Sequence, residues 1–261
     1  MADLEHVRTA YLIATSNADD AAFVSLLDLA AVIEGRKDSV VIGGHMVGLM
    51  CAAFPAPGLV ERRTQDADGG VEVELASTGD LHTRLIGLGY TAENSNRYVR
   101  GEEEDRPTID LLVPTVGDRF HEEAIGDRRF DAMPGLRVAM ANTLLIDAVL
   151  TFQDHTERRA IVRVPTIEGA VLLKAIAWGS RRKRKDAIDL SNLFAVLQCH
   201  GLEALGGPWR LNEPVPTGNR LTAARHLHGL ADIWDANPPA KLPADPRALV
   251  SRIRSWVTDP R

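Results

Sequence analysis

Residues 62–68 read RRTQDAD and place two aspartates, Asp66 and Asp68, one residue apart. Side chains in a β-strand alternate between its two faces, so a strand here would project both carboxylates from the same face. Two converging carboxylates form a site for a hard divalent cation, which prefers oxygen ligands. The segment therefore predicts a metal-binding strand, to which other parts of the chain can contribute.

Two further features supply parts that metal-dependent nucleotidyl transfer requires. Gly43 and Gly44 follow the apolar run VVI at residues 40–42, and a strand-to-helix turn there would bring backbone N–H groups close to a phosphate. Asp110 lies inside the apolar run TIDLLV at residues 108–113, where a buried carboxylate needs a partner or a metal. We therefore predict that aspartates from two different strands meet at one site.

The predicted chemistry gives each acid a role. Nucleotidyl transfer moves a nucleoside monophosphate from an NTP to an acceptor, and two Mg²⁺ ions suit it because phosphate charge dominates the barrier. We expect Asp66 and Asp68 to bridge both ions. Asp110 would hold the ion that activates the acceptor hydroxyl, or act as its general base. If the strand continues back to Thr64, its hydroxyl would share the metal-facing side and could bind a phosphate oxygen.

A second group of charged residues lies in the later, helical part of the sequence. Lys174 has apolar neighbours, and burial of its ammonium group is costly unless an anion such as a triphosphate meets it. The alternative is that Lys174 reaches the surface. Asp186 and Asp189 share a helical face and could pair with Lys174 or Lys185, or Asp186 could cap the helix. The run RRKRK at residues 181–185 is either a solvated linker or a basic edge that holds an RNA backbone.

Composition limits the class of protein. The chain has 261 residues, of which 45% are apolar and 25% charged, as is usual for a globular protein. Its net charge of −6 argues against a protein that coats nucleic acid through its overall field. No apolar run approaches the roughly 20 residues that span a bilayer. The start lacks the apolar core of a signal peptide, so we expect a cytoplasmic protein without a membrane partner. The two cysteines are too few and too far apart for a disulfide framework or a zinc site.

The order of predicted elements is an α/β half followed by a helical half, with a boundary near residue 165. The predicted strands are 39–42, 62–68, 71–75, 96–100, 108–113, 136–140, 148–152 and 160–164. The predicted helices are 19–34, 46–54, 80–88, 166–178, 186–200, 221–234 and 246–256.

These motifs resemble those of the AbiEii/MenT-type nucleotidyltransferases, the toxins of bacterial toxin–antitoxin systems within the polymerase-β-like nucleotidyltransferase superfamily. The elements that carry the resemblance are Gly43-Gly44, the R-x-T-x-D-x-D pattern at residues 62–68, Asp110, Lys174 and the sequence KDAIDL at residues 185–190. The superfamily usually has Gly-Ser where this chain has two glycines. A second glycine pair, Gly69-Gly70, directly follows the aspartates and could bend or shorten the strand.

The resemblance implies an α+β fold: a mixed sheet with flanking helices, followed by a mainly helical C-terminal half. The corresponding domains would be a nucleotidyltransferase domain at 1–164 and a helical domain at 165–261, with the active site in the cleft between them. It also implies that Thr64 is a phosphate contact or a modifiable hydroxyl. The implied catalytic residues are Asp66, Asp68, Asp110 and Lys174, and the implied nucleotide-binding residues are Gly43, Gly44, Arg62, Thr64, Lys174, Lys185, Asp186 and Asp189.

From the sequence we therefore expect an enzyme that uses Mg²⁺ to transfer a nucleotide from an NTP to an acceptor. Some members of the family modify the 3′ end of tRNA, which implies an RNA acceptor, a role as a toxin or defence protein and a cognate antitoxin as partner. Three alternatives stay open at this point. One is a nucleotidyltransferase for small molecules of the aminoglycoside type, the second is transfer to protein hydroxyl groups, and the third is a degenerate protein that binds nucleotides without turnover.

Overall fold

The computed structural model describes residues 7–94 and 96–260, which form strands and helices in mixed order. The strands are β1 (Arg8–Ile13), β2 (Ser39–Ile42), β3 (Asp66–Val71), β4 (Thr91–Ala92), β5 (Arg97–Val99), β6 (Thr108–Thr115), β7 (His121–Ile125), β8 (Arg128–Pro134), β9 (Thr143–Thr151) and β10 (Glu157–Pro165). The helices are α1 (Asn17–Val32), α2 (Gly43–Ala53), α3 (Val73–Ser77), α4 (Asp80–Gly87), α5 (Leu136–Ala141), α6 (Ile167–Arg181), α7 (Arg184–Ala204), α8 (Gly218–Ala236) and α9 (Pro246–Trp256).

These elements form two mixed sheets. In the larger sheet, β3 lies between β2, to which it is antiparallel, and β6, to which it is parallel. The other edge of β6 pairs first with β5 and then with β8, and β4 and β7 complete the seven strands. The smaller sheet has the order β1-β9-β10. The α+β class with a mixed sheet, flanking helices and a mainly helical C-terminal half is thus confirmed, although the strands form two sheets.

The glycine pair after the aspartates allows helices to pack closely on both faces of β3. A Cβ on Gly69 would lie 3.0 Å from Leu29 of α1, and a Cβ on Gly70 would lie 2.6 Å from Leu136 of α5. Because side chains alternate, Asp66 and Asp68 share the face of Gly70 rather than that of α1. The strand therefore runs on through Gly69 and Gly70 to Val71, and its second half is buried.

Two predicted strands are helices instead. Residues 71–75 alternate apolar and acidic side chains, but β3 ends at Val71 and α3 begins at Val73, which buries the adjacent side chains Leu75 and Ala76. Residues 136–140 form α5, whose buried Leu136, Ala139 and Met140 have the spacing of one helical face. Residues 136–140 fitted either period, whereas in residues 71–75 the burial of adjacent side chains overrode the alternation.

Two element boundaries near the aspartates differ from those that we predicted. The helix expected at residues 46–54 begins at Gly43, so both glycines of the pair lie in its first turn. The strand expected over residues 62–68 begins only at Asp66, so Thr64 precedes it. The division into domains at residues 164 and 165 stays a prediction.

A candidate metal site beside a polar cleft

The structure brings together the three aspartates that we predicted to meet. In the parallel pair β3–β6, Asp68 lies directly opposite Asp110, and Asp66 projects from the same face two residues earlier. Each of the three side chains offers one carboxylate oxygen, and these oxygens lie within 4.8 Å of one another. Three oxygen donors at this spacing are a set that a hard divalent cation could use.

The electrostatics of the cluster centre on Asp68. Burial of its carboxyl group, followed by repulsion from Asp66 and Asp110, raises the pKa of Asp68 to about 7. Lys174 and Lys185 act in the opposite direction. Close carboxylates disfavour their joint ionisation, and a bound cation would relieve that repulsion. The repulsion among the three carboxylates therefore favours the binding of a cation between them.

Asp110 has a cationic partner that the sequence analysis missed. Arg97 Nε and Nη2 donate to the two oxygens of Asp110 at 2.9 and 2.7 Å, a bidentate pair that orients the carboxylate. Arg97 lies on β5 directly opposite Asp110 on β6. The sequence placed the two predicted strands next to each other, so an antiparallel pairing of residues 96–100 with 108–113 was the signal available for this contact.

Gly43 and Gly44 allow close contacts within the site. Gly43 has a φ of 69°, and a Cβ added there would lie 1.7 Å from Oδ2 of Asp68. A Cβ on Gly44 would lie 2.5 Å from Oγ1 of Thr64 and 2.8 Å from Nη2 of Arg62. A side chain at either position would displace a residue of the site. This steric requirement explains why both positions are glycine, without a bound phosphate.

Thr64 contacts the aspartate cluster although it lies outside the strand. Its Oγ1 donates to Oδ1 of Asp66 at 3.1 Å. We expected a continuous strand to place Thr64 on the metal-facing side, but β3 begins only at Asp66. The Thr64 hydroxyl nevertheless lies beside the acids, because it is hydrogen-bonded to the Asp66 carboxylate.

Lys174 and Arg62 converge on a buried carboxylate. Lys174 Nζ lies 2.7 Å from Oδ2 of Asp189, which also accepts hydrogen bonds from Arg62 Nε at 2.6 Å and Nη2 at 3.2 Å. Asp189 is fully buried and Lys174 is 5% exposed, so Lys174 does not reach the surface. Two cations against one carboxylate leave a net positive charge beside the aspartate cluster. That charge is suited to a phosphate group.

Asp186 is buried, whereas its neighbour Lys185 lines a cleft. Asp186 is fully buried and accepts hydrogen bonds from Arg181 Nε and Nη2 at 2.7 and 2.6 Å. It therefore pairs with neither Lys174 nor Lys185, the two partners that we considered. Lys185 lines a cleft that also reaches Asp66.

This cleft has a volume of about 600 Å³ and adjoins the metal site. The cationic side chains that line it are Arg62, Arg63, Arg97, Arg106 and Lys185. Several are held by acids: Arg63 pairs with Asp19, and Arg106 Nη2 lies 2.6 Å from Glu93. The cleft thus combines carboxylates for a cation with a polar wall that carries both basic and acidic side chains.

His45, in the first turn of α2, is an unusual member of this neighbourhood. Burial, which outweighs the opposing charge of Asp66, lowers the pKa of His45 to about 4, so the ring is neutral near pH 7. Its Nε2 atom is buried and has no hydrogen-bond partner among the described residues. His45 therefore lies near enough to Asp66 for the charge of that carboxylate to act on it.

Comparison with known proteins gives little further guidance. No protein-family model matches the chain, and no curated protein matches it. Among solved structures, an antigenic nucleotidyltransferase-like protein from Paracoccidioides brasiliensis aligns over 96% of both chains, with a TM-score of 0.43 and 14% sequence identity. No helix in the described part of the chain is long and apolar enough to cross a membrane.

Proposed function

We propose that this protein is a metal-dependent nucleotidyltransferase that transfers a nucleoside monophosphate from an NTP to an acceptor. The observation that carries the proposal is the cluster of Asp66, Asp68 and Asp110, whose carboxylate oxygens lie within 4.8 Å of one another on adjacent strands. The cluster adjoins a glycine turn and the cations Lys174 and Arg62, which are surroundings that suit a triphosphate.

The donor set fits Mg²⁺, because all three groups are carboxylates and Mg²⁺ is bound through oxygen. Asp66 and Asp68 would hold two ions, with Asp110 as a further ligand. When bound, the ions would neutralise phosphate charge and orient the attacking and leaving oxygens. Each oxygen of Asp110 accepts one hydrogen bond from Arg97 and keeps capacity for a second partner. This engagement favours the role of ligand over that of general base.

The protein's own groups would bind and orient the triphosphate. The first turn of α2 has no side-chain cap, so its N–H groups are available to a phosphate at the positive end of the helix. Lys174 and Arg62, both held by Asp189, would present fixed positive charge to the phosphates. The fixed position of these donors lowers the cost of ordering them during the reaction.

We further propose RNA as the acceptor, with the 3′ end of tRNA as the leading candidate, and a role as a toxin or defence protein with a cognate antitoxin. The support is the resemblance of the motifs and the basic segment at residues 181–185. In that segment Arg181 is held by Asp186, whereas Lys183 and Lys185 have no ion pair among the described residues. These two ammonium groups are free to meet a phosphate backbone.

One observation favours a second candidate, a small cationic acceptor of the aminoglycoside type. The cleft next to Asp66 is also lined by Glu93, Glu104 and Asp105. Acidic side chains that line the cleft would attract a polycation and repel an RNA backbone. The third candidate is a protein that binds nucleotide without turnover, but the three carboxylates that turnover requires are present.

The test is transfer of label from each of the four NTPs with Mg²⁺, using total RNA in one set of reactions and an aminoglycoside in another. We expect label to enter RNA with the parent protein, and to be lost in Asp66→Asn and Asp68→Asn at unchanged secondary structure. Label in the aminoglycoside alone would select the second candidate. Nucleotide-induced thermal stabilisation without transfer to either acceptor would select the binding protein.

A further inference from the structure

A second cavity, of about 550 Å³, lies at the C-terminal end of α6, outside the aspartate cluster. Its walls come from α6, α8 and the loop after β6. Gly179 of α6 allows α8 to pack closely, since a Cβ there would lie 2.3 Å from the ring of His226. The cavity is therefore formed by well-packed helices and one loop.

The charge of this cavity is positive and largely unpaired. Arg119 and Arg225 line it, and neither guanidinium has a carboxylate partner among the described residues. Asp118 is the one acid that lines it. Arg182 does not line the cavity but lies beside it: burial lowers the pKa of His226, and the charge of Arg182 lowers it further. Arg182 stacks over Trp178, with its guanidinium carbon 4.5 Å from the ring centroid, and has no ion pair in the described part of the chain. By contrast, the arginines around the metal site are paired with carboxylates. The guanidinium groups at this cavity can therefore bind an external anion.

An aromatic ring accompanies the cations. Phe120 also lines the cavity and is 37% exposed, next to Arg119 in the sequence. Exposed aromatic side chains interleaved with cations are the arrangement that binds single-stranded nucleic acid, because bases stack on the ring while the phosphates meet the cations. A duplex, whose bases are already stacked, cannot use the ring in this way.

The cavity lies close to the candidate active site along one helix. Lys174 contacts Asp189 beside the aspartate cluster, and Ser180 of the same helix lines the cavity. They are six positions apart, which is a rise of about 9 Å along an α-helix. The hydrogen bonds of Arg181, the next residue, to Asp186 raise the pKa of Arg181, and the charge of Asp68 also contributes, which places Arg181 near the cluster.

We propose that the surface formed by Arg119, Phe120, Arg182, Arg225 and His226 binds the single-stranded 3′ segment of an RNA acceptor. Its role in transfer rests on the proposed function, but binding itself does not. Phosphates would contact the guanidinium groups and one base would stack on Phe120. The surface would hold the strand so that its end reaches the aspartate cluster.

Binding can be measured without transfer, by fluorescence anisotropy of a labelled single-stranded RNA with Mg²⁺ and no NTP. Arg119→Glu combined with Arg225→Glu should weaken binding at least tenfold at low salt. The slope of log affinity against log salt should fall by about 1.4, because each phosphate contact contributes about 0.7 for single strands. Phe120→Ala should weaken binding by about tenfold with the slope unchanged.

The matched control is Arg247→Glu, which reverses an exposed charge in the first turn of α9, where an acid is favourable to the helix. It should bind RNA like the parent, and all variants should keep the parent's unfolding temperature. Equal binding by the parent and the Arg119/Arg225 variant would overturn the proposal. Binding of duplex RNA as tightly as single strands, with no effect of Phe120→Ala, would overturn it too.

Transfer separates this proposal from the proposed function. Asp66→Asn should bind RNA like the parent while transferring no nucleotide. If the parent transfers label to RNA and the Arg119/Arg225 variant does so with the same KM for RNA, the surface is wrong and the enzyme assignment stands. If RNA binds at this surface and no NTP is ever consumed, the surface stands and the enzyme assignment is wrong.

Discussion

Replacement of Gly43 by alanine tests how the fold positions Asp68. The added Cβ would lie 1.7 Å from Oδ2 and 2.6 Å from Cγ of Asp68, well inside van der Waals contact. The φ of 69° adds strain, since a left-handed residue with a Cβ costs about 1–2 kcal/mol. We expect the carboxylate to be pushed out of the cluster, so the variant folds but loses the metal site.

The effect of Gly43→Ala on stability can be separated from its effect on Mg²⁺ binding. The backbone strain alone should lower the unfolding temperature by roughly 2–8 °C, since 1 kcal/mol corresponds to about 2–4 °C for a chain of this size. The parent should gain about 2.7 kcal/mol from Mg²⁺ at a hundred times its Kd, whereas Gly43→Ala should gain almost nothing. Gly48→Ala on the same helix is the control, because nothing lies within 4 Å of its Cβ. It should be stabilised by about 0.5–1 kcal/mol and keep the full response to Mg²⁺.

The assay is thermal unfolding of the parent and both variants with and without Mg²⁺, followed by the transfer reaction. Gly43→Ala should show a small loss of stability, no response to Mg²⁺ and no transfer. A Gly43→Ala protein that responds to Mg²⁺ like Gly48→Ala and transfers nucleotide at the parent rate would refute the claim that this glycine is needed to accommodate Asp68.

Three further predictions concern the charges of the site. The folded protein holds the Asp68 proton up to about pH 7, whereas the unfolded chain releases it near 3.8. In the metal-free protein, the stabilisation that protonated Asp68 contributes should therefore be complete below about pH 3.8 and lost as the pH rises through 7. The affinity for Mg²⁺ should rise over the same range. Thermal unfolding of Asp68→Asn should show neither trend. Arg97→Gln should lower the free energy of unfolding by about 1–2 kcal/mol, less than for a fully buried pair because Arg97 is half-exposed, and Mg²⁺ should restore part of it in denaturant titrations. Asp189→Ala should cost about 3–5 kcal/mol because it leaves a buried ammonium unpaired, and a double-mutant cycle with Lys174→Ala should show coupling, whereas additive effects would contradict the pairing.

The sequence was sufficient to predict which strands carry the acids, and the reason is the short period of a strand. The apolar runs around residues 40–42 and 108–113 are buried strands, and the one-residue spacing of Asp66 and Asp68 places them on one face. What the sequence lacked was the register, because nothing local states that Asp68 pairs with Asp110. That pairing is set by the packing of the whole sheet.

The contacts that the sequence missed are those between distant segments. Arg62 and Asp189 lie 127 residues apart, and their pairing depends on how α7 packs against the segment before β3. The contact between Arg97 and Asp110 depends on the register of β5 and β6. Residue type and local period give no information about such partners. The Lys174–Asp189 pair was among the alternatives, because a buried lysine requires an anion wherever it lies.

Calorimetric titration of the metal-free protein with Mg²⁺ above pH 7 shows whether Asp66, Asp68 and Asp110 bind metal together. We expect saturable binding by the parent and its loss in Asp66→Asn and in Asp68→Asn, with Gly48→Ala unaffected. Absence of binding by the parent, or binding by both asparagine variants with the parent's affinity, would contradict it.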